Sequence, residues 1–142
     1  MKKSDIHTTV GNVHIKINTK RIRKRFKNAQ FVLDTVVMQD MLPYMPEQTG
    51  MFKDRTLIES TSIAGTGRVC AGANPQGRFL YYGKVMVGEN SRSAYAKLGE
   101  KKVITDKPLS YANGKGPFWF EEAKRRNMRR WKSKTKKGLK AR

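Results

Sequence analysis

The sequence is poor in the residues that carry chemistry. It has one cysteine, Cys70, so no disulfide can close within the chain. Its two histidines, His7 and His14, show no metal-ligand spacing with Cys70. Cys70 sits in the apolar run Val69-Cys70-Ala71, the setting of a small core residue rather than of an activated nucleophile. Glu121 and Glu122 are adjacent, so on a helix they point in different directions and form no acid/base pair; they suit a first helical turn, where the dipole favours negative charge. Gly65-x-Gly67 lacks the third glycine of a dinucleotide loop and the Gly-Lys-Ser/Thr of a phosphate loop, which leaves a turn. No run approaches the roughly 20 apolar residues of a membrane-spanning helix. Lys2 and Lys3 are followed by Ser4, Asp5 and His7 rather than by an apolar stretch, so no secretory signal is readable. The expectation is a protein made in the cytoplasm, not an enzyme, with no cofactor and no metal.

Positive charge is what the chain has in excess. Its 142 residues carry 31 Lys and Arg against 11 Asp and Glu, a net charge of +20. Such a balance favours anionic partners, whether nucleic acid, a membrane surface or an acidic protein face. The length allows one domain with a modest core. A hydrophobic fraction of 37% suggests that part of the chain is disordered or orders only on a partner.

The alternation Val13-His14-Ile15-Lys16-Ile17 predicts a short strand, and Asn18 or Thr19 can cap a following helix. From about Lys20 to Met41, the apolar residues Ile22, Phe26, Ala29, Leu33, Val36, Val37 and Met41 recur at steps of three and four, which is one stripe along a helix of about six turns. Six of the eight residues 20–27 are basic, and the helix dipole offers no reason for cations there. Pro43 and Pro46 end the helix. The stretch Pro46-Glu47-Gln48-Thr49-Gly50-Met51-Phe52 then reads as a joint at which the chain leaves a helix and enters a sheet.

Residues 56–63 alternate and predict a strand, turned at Gly65-Thr66-Gly67 into a returning strand at 68–71. Asn74-Pro75-Gln76-Gly77 is a second turn; Phe79-Leu80-Tyr81-Tyr82 and Val85-Met86-Val87 read as strand or as a strand-flanking aromatic cluster, and Val103-Ile104-Thr105 as another strand, with an exposed, mobile loop over 88–102. Asn113-Gly114-Lys115-Gly116-Pro117 breaks the chain, and Pro117 suits the start of a second helix with Trp119, Phe120, Ala123, Met128 and Trp131 on its apolar side. The expected architecture is therefore α+β, a long N-terminal amphipathic helix and a C-terminal helix packed on a small antiparallel sheet. Residues 1–131 form the single domain and 132–142 a basic, flexible tail.

Two basic clusters, residues 20–27 and 124–142, lie beside aromatic residues. Arg21, Lys24, Arg25, Lys27, Arg129, Arg130 and Lys132 are the candidate contacts to DNA or to an acidic partner. A basic module that binds nucleic acid without sequence preference is one reading of such a chain.

The order of motifs points elsewhere. A long amphipathic helix is followed by Pro46-x-x-Thr49-Gly50-x-Phe52, then by Tyr81-Tyr82-Gly83, then by Pro117-Phe118-Trp119-Phe120-Glu121-x-Ala123 and a basic helix. Over residues 20–131 this order resembles the minor capsid and tail-completion proteins of long-tailed bacteriophages, the head–tail joining proteins of the neck. The resemblance implies a structural virion protein that forms a ring, most often a hexamer, connects the head connector to the tail and continues the DNA channel. Its partners would be further copies of itself, other neck and tail proteins, and double-stranded DNA passing through the ring, with no membrane. It also implies assembly contacts at Pro46, Thr49, Gly50, Phe52, Tyr81, Tyr82, Gly83, Trp119 and Phe120.

Overall fold

A computed structural model describes residues 6–17, 19–47, 50–74, 76–112 and 114–140. The described residues begin with a β-hairpin. Strands β1 (Ile6–Val10) and β2 (Val13–Ile17) pair antiparallel, with Val10 opposite Val13 and Ile6 opposite Ile17. Two residues, Gly11 and Asn12, join them. Gly11 adopts φ 60°, the left-handed backbone that a tight hairpin turn needs and that glycine adopts without strain.

Helix α1 (Thr19–Met41) follows, as its apolar stripe predicts; Asn18, the alternative cap, lies outside the described residues. A 3-10 turn at Leu42–Tyr44 with Pro43 inside it closes α1. The joint then leads into a second helix, α2 (Met51–Ser62), and not into a sheet. The strand expected over 56–63 is therefore helical, and the returning strand at 68–71 is irregular chain. The alternation that suggested a strand arises because the buried side of α2 carries hydroxyls: Thr56 and Ser60 are buried while Ile58 is exposed. These two positions, four apart, lie on one helical face, and both bond the chain that crosses them. The Ala73 N–H donates to Thr56 Oγ1 (3.0 Å), and Ser60 Oγ donates to the Cys70 carbonyl (3.2 Å).

The segment 79–82 is also helical. It belongs to α3 (Gly77–Tyr82), closed by Gly83 at φ 68°. Strands β3 (Lys84–Gly88) and β4 (Lys102–Pro108) form a second antiparallel pair with an irregularity between Lys84 and Met86. The loop between them is tied by one carboxylate: Glu100 accepts from the backbone N–H groups of Asn90 (2.8 Å), Ser91 (2.6 Å) and Lys97 (2.8 Å). Helix α4 (Trp119–Lys140) is the last element of the described residues. It runs on through residues 132–140, most of the stretch 132–142 expected as a flexible tail; residues 141 and 142 lie outside the described residues. Glu121 and Glu122 in its first turn and Lys137 and Lys140 in its last complement the helix dipole at both ends.

The fold is α+β, with two separate two-stranded sheets in place of one sheet beneath the helices. The core sits between the two long helices and the loop crossing them: Val36, Val37, Met41, Met45, Trp119, Ala123 and Trp131. α1 and α4 are antiparallel. Asp40, near the end of α1, accepts from Trp131 Nε1 (2.8 Å) and pairs with Arg130, whereas Ala29 near its middle meets Gly138, where a Cβ would stand 3.1 Å from the Ala29 Cα. α1 therefore projects past this contact, which is why the first part of its stripe, Ile22 and Phe26, has no cover from α4 and is exposed.

Candidate functional site

Of the residues named by the resemblance, Phe52, Tyr81, Tyr82 and Trp119 meet in one aromatic cluster. Phe52, in the first turn of α2, meets the Trp119 ring edge-on with centroids 5.9 Å apart; Tyr81 meets Trp119 at 5.0 Å, Phe118 at 5.5 Å and Tyr82 at 5.6 Å, all edge-on. The backbone fastens the same point, since the Phe118 N–H donates to the Tyr81 carbonyl (2.9 Å) and the Leu109 N–H to the Gly83 carbonyl (2.8 Å). Pro117 presses on Gly83 so closely that a Cβ there would lie 2.9 Å from the proline ring. Phe118 adopts φ 55°, a strained conformation for a bulky residue.

These residues divide by burial. Trp119 is 1% exposed and its indole N–H donates to the Ala71 carbonyl at 2.7 Å, so it is an anchor of the core. Phe120 is half-buried and stacks on Trp131, centroids 6.1 Å apart. Tyr82 and Phe118, 47% and 45% exposed, are the members that face outward. Pro46 is half-buried and Gly50 immediately precedes α2; Thr49 lies outside the described residues. Burial pushes the Tyr81 hydroxyl up to about 12, with help from the Glu121 carboxylate beside it, so Tyr81 stays a neutral hydrogen-bonding group. Burial also pushes the Cys70 thiol up, with Glu59 adding to the shift.

The basic residues form a pole. Because α1 and α4 are antiparallel and Gly138 meets Ala29, the cations of residues 20–27 and those at the end of α4, Lys137 and Lys140, lie toward the same end of the helix pair. Lys24 and Lys27 belong to it and are exposed, with Arg21 and Arg25 on the same turns, whereas Lys132, also exposed, follows Trp131 and lies nearer the Asp40 end of α1. Arg129 is exposed nearer the middle of α4, and Arg130 is engaged with buried Asp40. The sequence reading treated the two clusters as separate; their union depends on helix direction, which no local pattern encodes.

Two further surfaces escaped the sequence. The first is the hairpin, every residue of which is exposed. By its register, Ile6, Thr8, Val10, Val13, Ile15 and Ile17 share one face, and His7, Thr9, His14 and Lys16 the other. The signal was the two-residue Gly11-Asn12 link between Val10 and Val13. The second is an open groove of about 970 Å³ between α1, α3, α4 and the crossing loop. Its walls include Leu33, Val37, Val69, Phe120, Met128 and Trp131, and its rim carries Arg78, Lys124, Lys132 and Lys136.

Among the described residues, no group of three or more His, Cys, Asp or Glu side chains is placed to hold a metal ion, and no helix is long and apolar enough to cross a membrane. No family model, curated protein or solved structure matches the chain.

Proposed function

We propose that this chain is a structural subunit of a phage neck, joining head to tail as part of a ring. The observation that carries the proposal is the uncovered apolar surface at its N-terminal pole. Ile6, Val10, Val13, Ile15, Ile17, Ile22 and Phe26 are between 38% and 67% exposed. An isolated two-stranded hairpin is marginal in water, and an amphipathic one gains stability by laying its apolar face on another surface. A ring closed by head-to-tail contacts needs two different surfaces on each subunit. The hairpin face and the exposed edge of the aromatic cluster, Tyr82 and Phe118, supply them. The order of motifs from α1 to α4 supports the same reading.

Electron microscopy with mass determination on the native assembly tests it. A ring at a capsid–tail junction is the expected result. A monomer absent from purified particles overturns it.

The basic pole favours a second reading, a module that holds nucleic acid by its phosphates. Six cations of 20–27 lie toward the same end of the helix pair as Lys137 and Lys140 in the last turn of α4. That reading requires affinity for duplex DNA that falls steeply with salt. Affinity nearly independent of salt removes it.

A further inference from the structure

We infer that the groove between α1, α3 and α4 is the docking site for an acidic amphipathic helix of a different protein. Its floor and rim have opposite characters. The floor is apolar, from Leu33, Val37, Val69, Phe120 and Met128. The rim carries four cations, Arg78, Lys124, Lys132 and Lys136, and none of the four forms an ion pair with a carboxylate of the described residues.

One carboxylate, Asp34, also lines the groove, but it is occupied. It accepts from the Gly65 N–H (2.8 Å), the Gly67 N–H (3.0 Å) and the Gln30 amide (2.7 Å). The rim therefore presents net positive charge over an apolar trough, which is complementary to a segment with apolar residues on one face and carboxylates along its sides.

The geometry selects the form of the occupant. The walls are helices and a loop, with no strand edge among them, so strand addition has no backbone to pair with and the helix-in-groove mode remains. Lys124, Lys132 and Lys136 stand at i, i+8 and i+12 on the groove side of α4 and span about 18 Å of its axis at 1.5 Å per residue, which matches about three turns of a docked helix.

The charge also excludes two other occupants. A second copy of this chain carries +20, and its hairpin offers His7, His14 and Lys16 but no acid. Nucleic acid would satisfy the rim but would press phosphates and sugars onto Leu33, Val37 and Met128, where their hydration is lost without compensation. The groove's chemistry holds whether or not the chain sits in a phage neck.

The test uses the full chain and a fluorescent peptide with leucines at helical spacing and glutamates on the flanks. The control peptide carries lysines in place of the glutamates. Binding is read by anisotropy at physiological salt. The expected result is saturable binding of the glutamate peptide alone, weakened about tenfold or more in the variant K124E/K132E/K136E. The variant K84E/K101E/K107E has the same net charge with reversals outside the groove, and its affinity should stay within about twofold of the parent. Circular dichroism checks that both variants fold. In the unaltered chain, a bromine-labelled version of the peptide should quench Trp131, which lines the groove. Absence of binding overturns the inference. So do equal losses in the two variants, which would mean diffuse attraction, and displacement of the peptide by duplex DNA at the same rim, which would make the groove a nucleic-acid site.

Discussion

The indole N–H of Trp131 donates to Oδ2 of Asp40 at 2.8 Å, across 91 residues of chain. Asp40 is 7% exposed, and its other oxygen pairs with Arg130. This carboxylate holds α4 against the last turns of α1. Asp40→Ala leaves a buried indole donor without a partner and should cost about 2–4 kcal/mol, a fall in melting temperature of about 6–12 °C for a chain of this size. Asp40→Asn keeps an acceptor for the indole, loses the charge opposite Arg130, and should cost about 1 kcal/mol. Thermal unfolding of the two variants checks this order, and equal losses would deny the indole contact its part.

Thr56 on α2 accepts the Ala73 N–H and donates to the Phe52 carbonyl at 2.7 Å. It is fully buried. Thr56→Val preserves shape but strands the Ala73 donor, which should destabilise the fold by about 1–3 kcal/mol. Thr56→Ser retains both bonds and should lose about 1 kcal/mol for the missing methyl. Hydrogen exchange at the Ala73 amide distinguishes them: protection should fall in the valine variant beyond the global change and survive in the serine variant.

The same residue shows what was legible in the sequence and what was not. α1 was readable because its face toward α4 is apolar at steps of three and four, through Ala29, Leu33, Val36, Val37 and Met41. β2 and β4 were readable by alternation and β-branched residues. α2 was not, because its buried face is built from Thr56 and Ser60, so burial and hydropathy disagree and the remaining pattern mimics a strand. α3 was too short, at 6 residues, to show a period. The basic stretch 132–140 looked like part of a tail because Gly138 lowers helix propensity and the lysines lower hydropathy, yet Gly138 is the close contact with Ala29. Phe52, Tyr81, Tyr82 and Trp119 stood out in the sequence only by residue type and by the order of motifs. Their convergence around Trp119, and the groove beside it, follow from long-range packing that local spacing does not carry.

Glycine substitutions should separate crowding from conformation. A Cβ at Gly77 would lie 2.0 Å from the Gly72 carbonyl oxygen, where neither backbone can yield cheaply. Gly77→Ala should therefore cost about 3 kcal/mol or more, despite the better helix propensity of alanine. Gly83→Ala combines a left-handed φ of 68° with Pro117 at 2.9 Å, for about 2–3 kcal/mol. Nothing lies within 4 Å of a Cβ at Gly116, and Gly116→Ala should stay within about 0.5 kcal/mol of the parent. Urea unfolding of the three variants gives the order directly. A mild Gly77→Ala would mean that the crossing of 72 over 77 is loose.

Acid should loosen the β3–β4 loop at a low and defined pH. Glu100 is held down to about 2, first by the Ser91 N–H and then by that of Lys97, with the Ser91 hydroxyl and the Asn90 N–H adding to it against the opposing effect of desolvation. A carboxyl whose folded value is depressed favours the ordered loop fully above its ordinary value of 4.5 and loses that contribution as the pH falls through about 2. Amide protection of Asn90, Ser91 and Lys97 should therefore persist at pH 4 and collapse together near pH 2. Glu100→Gln should show the collapsed pattern at neutral pH. Protection that persists in the glutamine variant would assign the loop's order to other contacts.

The hairpin face predicts a change in assembly without a change in fold. Val13 and Ile15 are 60% and 41% exposed, and replacing both by lysine removes apolar area that the chain itself does not cover. The monomer's stability should move by no more than about 0.5 kcal/mol. Association should weaken strongly, because each subunit then presents two desolvated charges where an apolar contact formed. Sedimentation velocity over a concentration series, with circular dichroism as the folding control, reads both quantities. A parent that associates alongside a V13K/I15K variant that does not places the contact on this face. Identical association of the two removes the hairpin from the assembly surface and leaves Tyr82 and Phe118 as the residues to test next.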